Sequence, residues 1–347
     1  MSADSFEASL GLVGVGYWGP NHLRAIEDSA RAELKWVCDS NQERLDRVSP
    51  RTRATTTTEL DRVLEDPDTD ALIIATPMST HFEIGMRALE AGKHLMIEKP
   101  LAGSSAEADA LLSLAADKGL AVMCGHTFLF SPPVVAIREM LRQGDLGEIY
   151  FVSSSRVNLG LHQRDNSVLW DLAPHDFSIL LDWFDEKPES VSAVGRDSIV
   201  PGIADVAFVD LGYESGLIAN VELSWLAPSK LRRTTVVGSE KMVVYDDAAP
   251  EQVRVYDHGV VFEDPETFGQ YHLSYRTGDI LTPKLPTTEP ISAQLDAFLD
   301  AVSAGRAPQK YTRIARDVVE LIEMAERSLE NEGVRSTLTK QLPAGLR

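Results

Sequence analysis

The sequence predicts an α/β protein of two domains. The first is a doubly wound parallel sheet, and the second is an α/β domain with a large, mostly antiparallel open sheet. Up to about residue 128, short apolar runs alternate with amphipathic helical segments, which is the pattern of βαβ units. After that point, longer alternating runs are separated by turn signals. The length of 347 residues also exceeds one usual domain. We expect domains at residues 1–128 and 129–347, with the closing helices free to pack back on the first.

The first domain consists of strand–helix units with recognisable ends. Gly92 and Gly119 lie where helices should stop, and Pro20 lies where the first helical turn tolerates a missing N–H. Strands are predicted at Leu10–Val15, Leu34–Cys38, Ala71–Ala75, His94–Ile97 and Ala121–Cys124. Helices are predicted at Pro20–Asp28, Gln42–Val48, Glu59–Leu64, His81–Ala91 and Ser105–Lys118.

The second domain is predicted to be mainly strands followed by two helices. The strands are Ile149–Asn158, Ser190–Asp197, Val206–Gly212, Leu217–Trp225, Thr234–Val237, Met242–Tyr245 and Val253–Tyr256. An apolar helix is expected at Phe177–Trp183, and Gly278–Pro290 reads as an extended segment. The closing helices carry apolar residues at helical spacing around Phe298 and Val318. A free apolar face of such a sheet favours a subunit interface, so we expect a homodimer or homotetramer.

The composition excludes several classes of protein. A net charge of −20 argues against nucleic-acid binding, which relies on many Lys and Arg contacts with phosphates. The two cysteines, Cys38 and Cys124, lie in apolar runs and are expected to be buried free thiols of a reducing compartment. The first residues do not resemble a secretory signal, and no run approaches the ~20 apolar residues of a membrane span. We therefore expect a cytoplasmic protein with no nucleic-acid or membrane partner.

A glycine-rich loop follows the first predicted strand, with the sequence Gly14-Val15-Gly16-Tyr17-Trp18-Gly19. It opens a helix, and Asp39 follows about 20 residues later at the end of the second strand. This combination is typical of a Rossmann dinucleotide site, in which the helix N-terminus binds a phosphate. Asp39 would accept hydrogen bonds from ribose hydroxyls and would repel the extra phosphate of NADP. Since neither Ser40 nor Asn41 is an arginine, the loop predicts NAD rather than NADP.

Polar residues follow the later strands of the first domain. In an open parallel sheet the ligand lies beyond the carboxyl ends of the strands, so these residues are expected near the cofactor or substrate. Lys99 could hydrogen-bond a substrate hydroxyl and stabilise the alkoxide that forms as hydride leaves. A solvated lysine would fit the same pattern. The predicted cofactor contacts here are Thr76, Pro77, His81, Glu98 and Lys99, and His126 is a candidate substrate contact.

A second group of polar residues precedes the apolar helix of the second domain. Asp171 and His175 are four residues apart, so on a helix they share one face and can meet one ligand. His175 suits a base that removes a hydroxyl proton. A structural histidine is the alternative. A metal site is another, but no third ligand lies at a suggestive spacing, and we predict no metal.

Arginines of the second domain could form a positive pocket for a phosphorylated substrate, because guanidinium groups bind phosphates bidentately. Ordinary surface charges would have the same sequence signature. The candidates are Arg156, His162, Arg164, Arg232 and Arg233.

Taken together, these motifs resemble the Gfo/Idh/MocA oxidoreductase family. The matching segments occur in the family's order: the glycine loop, Asp70–Pro77 with His81, Glu98-Lys99-Pro100, and the pair Asp171 and His175. The resemblance implies that Lys99 and His175 are catalytic and that Asp171 orients the substrate or the base. One departure is Ala173, where the family commonly has glycine, but the spacing from Asp171 to His175 is kept.

A narrower likeness is to sugar-nucleotide dehydrogenases of amino-sugar pathways. It is carried by the segments His162–Asp165, Leu169–Asp176 and Tyr275–Asp279. This resemblance implies NAD-dependent oxidation of a secondary hydroxyl on a nucleotide-linked sugar. Inositol, cyclitol and free-sugar dehydrogenases of the same family stay open as alternatives, as do its NAD-dependent glycosidases. A cofactor-binding sensor without chemistry is the alternative from another class.

Overall fold

The computed structural model of the chain describes residues 7–160, 166–263 and 272–337. It divides into two compact units. The first contains Met1–Pro132 and Thr287–Glu320, and the second contains Pro133–Pro286 and Leu321–Arg347.

The first unit contains a six-stranded sheet in which every neighbouring pair is parallel. Its strands are β1 (Ala8–Val13), β2 (Ala32–Cys38), β3 (Thr55–Thr57), β4 (Ala71–Ile74), β5 (His94–Ile97) and β6 (Val122–Cys124). The spatial order is β3-β2-β1-β4-β5-β6, so the direction of winding reverses between β1 and β4. Ligands of doubly wound sheets bind at this switch point. Sequence analysis missed β3, whose three threonines carry no apolar period.

Helices lie at α1 (Gly19–Glu27), α2 (Gln42–Val48), α3 (Leu60–Leu64), α4 (His81–Glu90), α5 (Ser105–Lys118), α6 (Pro132–Arg142), α7 (Val168–Trp183), α8 (Pro290–Ser303) and α9 (Gln309–Glu330). In the first unit, Ile26 of α1 and Phe298 of α8 belong to one buried cluster with Leu12 and Ile73 of the sheet. Helix α6 was not predicted. Its two leading prolines look like a turn, but Pro at the first helical position is well tolerated.

The second unit contains a nine-stranded sheet with the order β14-β13-β12-β11-β7-β10-β9-β8-β15. Its strands are β7 (Ile149–Leu159), β8 (Ser190–Arg196), β9 (Val206–Gly212), β10 (Ile218–Ser224), β11 (Leu226–Gly238), β12 (Met242–Asp246), β13 (Val253–Glu263), β14 (His272–Leu281) and β15 (Ser336–Thr337). Only the pair β7 and β10 is parallel among the described strands of this sheet. The predicted fold class is therefore confirmed for both sheets.

The two faces of this second sheet differ. Ala207, Val209 and Leu211 of β9 are buried, and α7 contacts β7, β9 and β10. On the opposite face, Phe208 is 44% exposed, and Phe151 lies beside Ile218 in register, with exposures of 46% and 56%. This face, defined by Phe151, Val194, Phe208 and Ile218, is called the open face below.

Both cysteines are buried and free, as expected, and burial raises the pKa of Cys38 to about 11. In the part of the chain that the structure describes, no helix is long and apolar enough to cross a membrane. The same residues contain no cluster of three or more His, Cys, Asp or Glu side chains that could hold a metal ion.

Candidate functional site

The glycine loop between β1 and α1 depends on glycine at two positions for its shape. Gly14 has a φ of +94°, in the left-handed region, and a Cβ there would lie 2.7 Å from the carbonyl oxygen of Ala75. A Cβ on Gly19 would lie 2.3 Å from the carbonyl oxygen of Gly14. Side chains at either position would displace the backbone, so these two glycines form the tight turn.

Gly16 differs, because no residue in the described part of the chain crowds it. A Cβ there would meet only the Nη1 atom of Arg44, at 4.0 Å. The N-terminus of α1 has no side-chain cap and no acidic residue in its first turn, and Tyr17 beside it is 80% exposed. Within α1, Pro20 has no N–H and the N–H groups of Asn21 and His22 donate to Trp18, so the backbone of the loop ahead of the helix is the part that a pyrophosphate would approach over Gly16. The predicted contacts Gly14, Gly16, Tyr17, Trp18 and Gly19 thus form one cradle that suits NAD.

Asp39 lies at the end of β2, beside this cradle. Its side chain accepts hydrogen bonds from the backbone N–H of Val15, at 2.9 Å, and of Asn41, at 2.8 Å. A carboxylate has four lone-pair sites, so it can still accept from ribose hydroxyls. Because it accepts both of these N–H groups, Asp39 also ties the glycine loop to the turn before α2, and its side chain is only 5% exposed.

Arg44 is a residue of this site that sequence reasoning missed. Its Nη1 atom lies 3.6 Å from Asp39 Oδ2, and its side chain is 48% exposed. Ser40 and Asn41 directly follow Asp39 in the sequence, but the first turn of α2 brings residue 44 back to the carboxylate. An arginine in the helical turn after the second strand is the signal that could have identified it.

The ends of β4, β5 and β6 bring most of the other predicted residues of the first unit together. Glu98 is 8% exposed, and its Oε1 atom lies 2.6 Å from Nε2 of His22 on α1. Its Oε2 atom accepts the backbone N–H of Lys99 at 3.2 Å. Burial would raise the pKa of Glu98, but the hydrogen bond and charge of His22, together with Lys99, outweigh burial and hold the pKa below its ordinary value. Lys99 itself is partly exposed.

His81, at the start of α4, joins two loops of this edge. Its ring nitrogens lie 2.9 Å from the carbonyl oxygens of Pro100 and of Thr76. Burial lowers the pKa of His81, and the hydrogen bonds to the two carbonyl oxygens partly oppose this effect. A neutral imidazole has one N–H, so it donates to one of these carbonyls at a time. Thr76 is partly exposed and Pro77 exposed. The predicted cofactor contact His81 is thus also a clamp between the loops that follow β4 and β5.

His126 follows β6 and is 3% exposed. Among the described residues, neither of its ring nitrogens has a hydrogen-bond partner. Burial lowers the pKa of His126 to about 4, with the charge of Glu98 opposing this shift and that of Lys99 adding to it. A buried imidazole without partners is costly. Its position beside Glu98 and Lys99 keeps His126 a candidate ligand contact.

In the second unit, Asp171 and His175 lie one turn apart on α7. The whole of α7 is described, and its other fourteen residues are all buried. Asp171 and His175 alone are partly exposed, so they form a small polar window on a buried helix. The predicted common face is therefore observed.

Trp225, at the end of β10, orients this window and was missed by sequence reasoning. Its Nε1 atom donates to Asp171 Oδ2 at 3.0 Å, and its side chain is fully buried. A Cβ on Gly160 would lie 2.5 Å from the Trp225 ring, so glycine makes room for the indole. Asp171 and Trp225 are 54 residues apart, and no local pattern pairs them.

Arg156, a candidate substrate contact from the sequence, has a structural partner. It is 4% exposed, and its guanidinium pairs with the buried carboxylate of Asp176. Ser154 also donates to Asp176, at 2.7 Å. Arg156 therefore fixes α7 on the sheet, directly after His175. A substrate contact of Arg156 stays a prediction.

The other arginine candidates are not brought to the α7 window by any described contact. Arg232 lies opposite Arg156 in the register of β7 and β11 and pairs with Asp247 at 3.2 Å. Arg233 pairs with Asp246. His162 and Arg164 lie outside the described residues.

Comparisons with known proteins agree with this geometry. The profile of the oxidoreductase family with an NAD-binding Rossmann fold matches residues 8–126, and the profile of the GFO/IDH/MocA C-terminal domain matches residues 134–244. The first match confirms the predicted Rossmann fold and its cofactor, NAD.

Individual relatives include two dehydrogenases. The UDP-N-acetylglucosamine 3-dehydrogenase of Acidithiobacillus ferrooxidans is 30% identical over 237 residues, which are 68% of this chain and 73% of that protein. The inositol 2-dehydrogenase of Rhizobium meliloti is 25% identical over 303 residues, 85% of this chain and 88% of that one. A solved structure of the Acidithiobacillus ferrooxidans enzyme matches with a TM-score of 0.76 and 26% identity, covering 93% of this chain and 98% of its own.

Proposed function

Because this chain belongs to the Gfo/Idh/MocA family of NAD-binding oxidoreductases, we propose that it oxidises a secondary hydroxyl of a nucleotide-linked amino sugar. The observation that carries the proposal is the polar window of α7. A helix that buries every other residue leaves only an acid and a histidine partly exposed, one turn apart. An acid and a histidine one turn apart on a partly exposed surface supply the groups that hydroxyl oxidation needs, a base and a group that orients it.

The residues divide the chemistry between them. Oxidation removes a proton from the hydroxyl oxygen and a hydride from its carbon, leaving a ketone. NAD, when bound, supplies the hydride acceptor. A ring nitrogen of His175 takes the proton, and Asp171, oriented by Trp225, fixes the substrate or the base. The ammonium of Lys99 stabilises the negative charge that develops on the oxygen.

The substrate class rests on similarity. The relative that is 30% identical is named for a nucleotide sugar and for oxidation at carbon 3, and it aligns with this chain over 73% of its own length. The inositol dehydrogenase is 25% identical over a longer stretch. Inositols, cyclitols and free sugars are therefore the competing substrates, and a sensor that binds NAD without turnover is the competing function.

A substrate panel tests the proposal. The absorbance of NADH is followed while the protein is mixed with NAD and with nucleotide sugars, free sugars or inositols. We expect turnover of an amino-sugar nucleotide, and Lys99→Ala should lower kcat about 100- to 10,000-fold while leaving NAD affinity unchanged. If the protein turned over inositols alone, the proposed amino-sugar substrate would be wrong and the protein would be an inositol dehydrogenase. Tight NAD binding with no turnover by any substrate would indicate the sensor, and full activity of Lys99→Ala would remove the role given to this lysine.

We also propose that the chain forms a homodimer or homotetramer through the open face. Phe151, Phe208 and Ile218 are exposed there on neighbouring strands, and exposed apolar patches of this kind mark protein interfaces. Light scattering should give a mass above that of one chain, and Phe151→Glu should return it to the monomer. Ile199→Glu is the control, since Ile199 is 60% exposed and lies in the loop between β8 and β9, outside the strands that form the open face. A monomeric wild-type protein contradicts the proposal.

A further inference from the structure

We infer that His22 is a positioning residue for Lys99, which it holds in place through Glu98. This inference rests on the proposed function only in the role given to Lys99. His22 lies on α1, three residues after the last glycine of the loop, and is 2% exposed. No cofactor or substrate role was expected of it.

The connection runs through one carboxylate. Nε2 of His22 and Oε1 of Glu98 are 2.6 Å apart, and the other carboxylate oxygen accepts the backbone N–H of Lys99 at 3.2 Å. A carboxylate this deeply buried is tolerated only when it is paired. His22 provides that pairing, and the lowered pKa of Glu98 agrees with it. The backbone of Lys99 is thus anchored to α1 through two consecutive hydrogen bonds.

The residue on the other side of Lys99 is held independently. The carbonyl oxygen of Pro100 lies 2.9 Å from a ring nitrogen of His81. Loss of His22 should therefore loosen the backbone of Lys99 on the Glu98 side only. The ammonium of Lys99 should then shift by a small distance. Displacements of about 1 Å at a reacting centre can cost about 100-fold in rate, so the expected loss is large but incomplete.

Glu98 is also closely packed against the chain that follows β6. A Cβ on Gly125 would lie 3.0 Å from the Cα atom of Glu98 and 3.1 Å from Oε2. Glycine at this position lets the chain after β6 pass close to the carboxylate. The carboxylate of Glu98 therefore has a closely packed backbone beside it as well as the contact with His22.

Three variants test the inference. His22→Leu removes the ring nitrogens at similar size, and His22→Gln keeps an N–H donor that can reach Glu98. His94→Leu is the matched control, because His94 lies at the opposite end of β5, where its ring accepts the backbone N–H of Ala121 at 2.9 Å. We expect His22→Leu to lower kcat about 10- to 100-fold with NAD affinity within about threefold of wild type. His22→Gln should recover most of kcat, and His94→Leu should keep it within about twofold.

A second readout does not depend on turnover. Hydrogen–deuterium exchange of the peptide that covers residues 95–103 reports on the N–H of Lys99. Its exchange should rise in His22→Leu and stay unchanged in His94→Leu. The inference is overturned if exchange in this peptide does not respond to His22→Leu, or if His22→Leu keeps full kcat in an enzyme that Lys99→Ala inactivates. Full activity of Lys99→Ala would instead overturn the role of Lys99 in the proposed function, while the exchange result still decides whether His22 anchors its backbone.

Discussion

Strand β4 of the first unit is buried at every residue, whereas strand β9 of the second alternates between buried and exposed residues. A parallel sheet covered by helices on both faces has no free face, so its functional groups can lie only where its strands end. Gly14, Glu98 and Lys99 lie at such ends. The second unit has a covered face and an open face, and its polar window lies on the covering helix. The position of a functional group is thus decided by which surfaces the sheet leaves free.

The two units hold their polar groups in similar ways despite this difference. In the first, a buried histidine holds Glu98, and in the second, Trp225 holds Asp171 and Arg156 holds Asp176. Each partner comes from a distant part of the chain. Such contacts fix side-chain geometry before a ligand arrives, which lowers the cost of ordering the site.

The largest expected effect concerns the α7 window. His175→Asn should lower kcat about 100- to 10,000-fold, because proton removal from the hydroxyl loses its base. His258→Asn is the control, since His258 lies on β13 and is only partly buried. Steady-state kinetics and circular dichroism of both variants would check this prediction. Near-normal turnover by His175→Asn would mean that the polar window is structural, like the other polar contacts of α7.

A second prediction concerns acid stability of the first unit. His126 has a folded pKa of about 4, against a reference value near 6.5, so the unfolded chain binds the extra proton between these values. Stability should therefore rise with pH from about 4 to about 6.5, and His126 alone should cost on the order of 3 kcal/mol at the acid end. His126→Gln should flatten this part of the slope in urea unfolding at several pH values. An identical slope in the variant would show that His126 is not buried as a neutral ring.

The smallest expected effect is the difference in stability and NAD affinity between alanine variants of two glycines in the same loop, Gly16 and Gly19. Gly19→Ala places a Cβ 2.3 Å from a backbone oxygen and should cost about 1–3 kcal/mol of stability. Gly16→Ala meets nothing closer than 4.0 Å and should leave the melting temperature unchanged, while NAD binding weakens about tenfold or more. Thermal unfolding and NAD titration of both variants provide the comparison. Equal NAD affinity of Gly16→Ala and wild type would place the pyrophosphate away from this glycine.

Sequence analysis anticipated the sheets better than the contacts between side chains. Periodicity alone identified strands such as His94–Ile97 and helices such as Ser105–Lys118, because burial of one face or of both leaves a local pattern. It missed β3, α6, β14 and β15, where the local pattern is short or weak, or begins with prolines, although the end of β14 falls in the predicted extended segment.

The candidate site shows the same limit. Gly14, Asp39 and Lys99 could be identified because their chemistry follows from their position at a strand end. His22 and Glu98 are 76 residues apart, and only the folded chain shows that they meet. Arg156 appeared to be a free cation because the acid that neutralises it, Asp176, lies on a different element.

Isotope transfer tests the central claim most directly. An amino-sugar nucleotide that carries deuterium on every sugar carbon with a secondary hydroxyl is incubated with the protein and NAD, and the nicotinamide is analysed by mass spectrometry. The account predicts that the deuterium moves to the nicotinamide ring in equal amount with the ketone formed. NADH without deuterium, or no NADH from this or any other amino-sugar nucleotide, would contradict it.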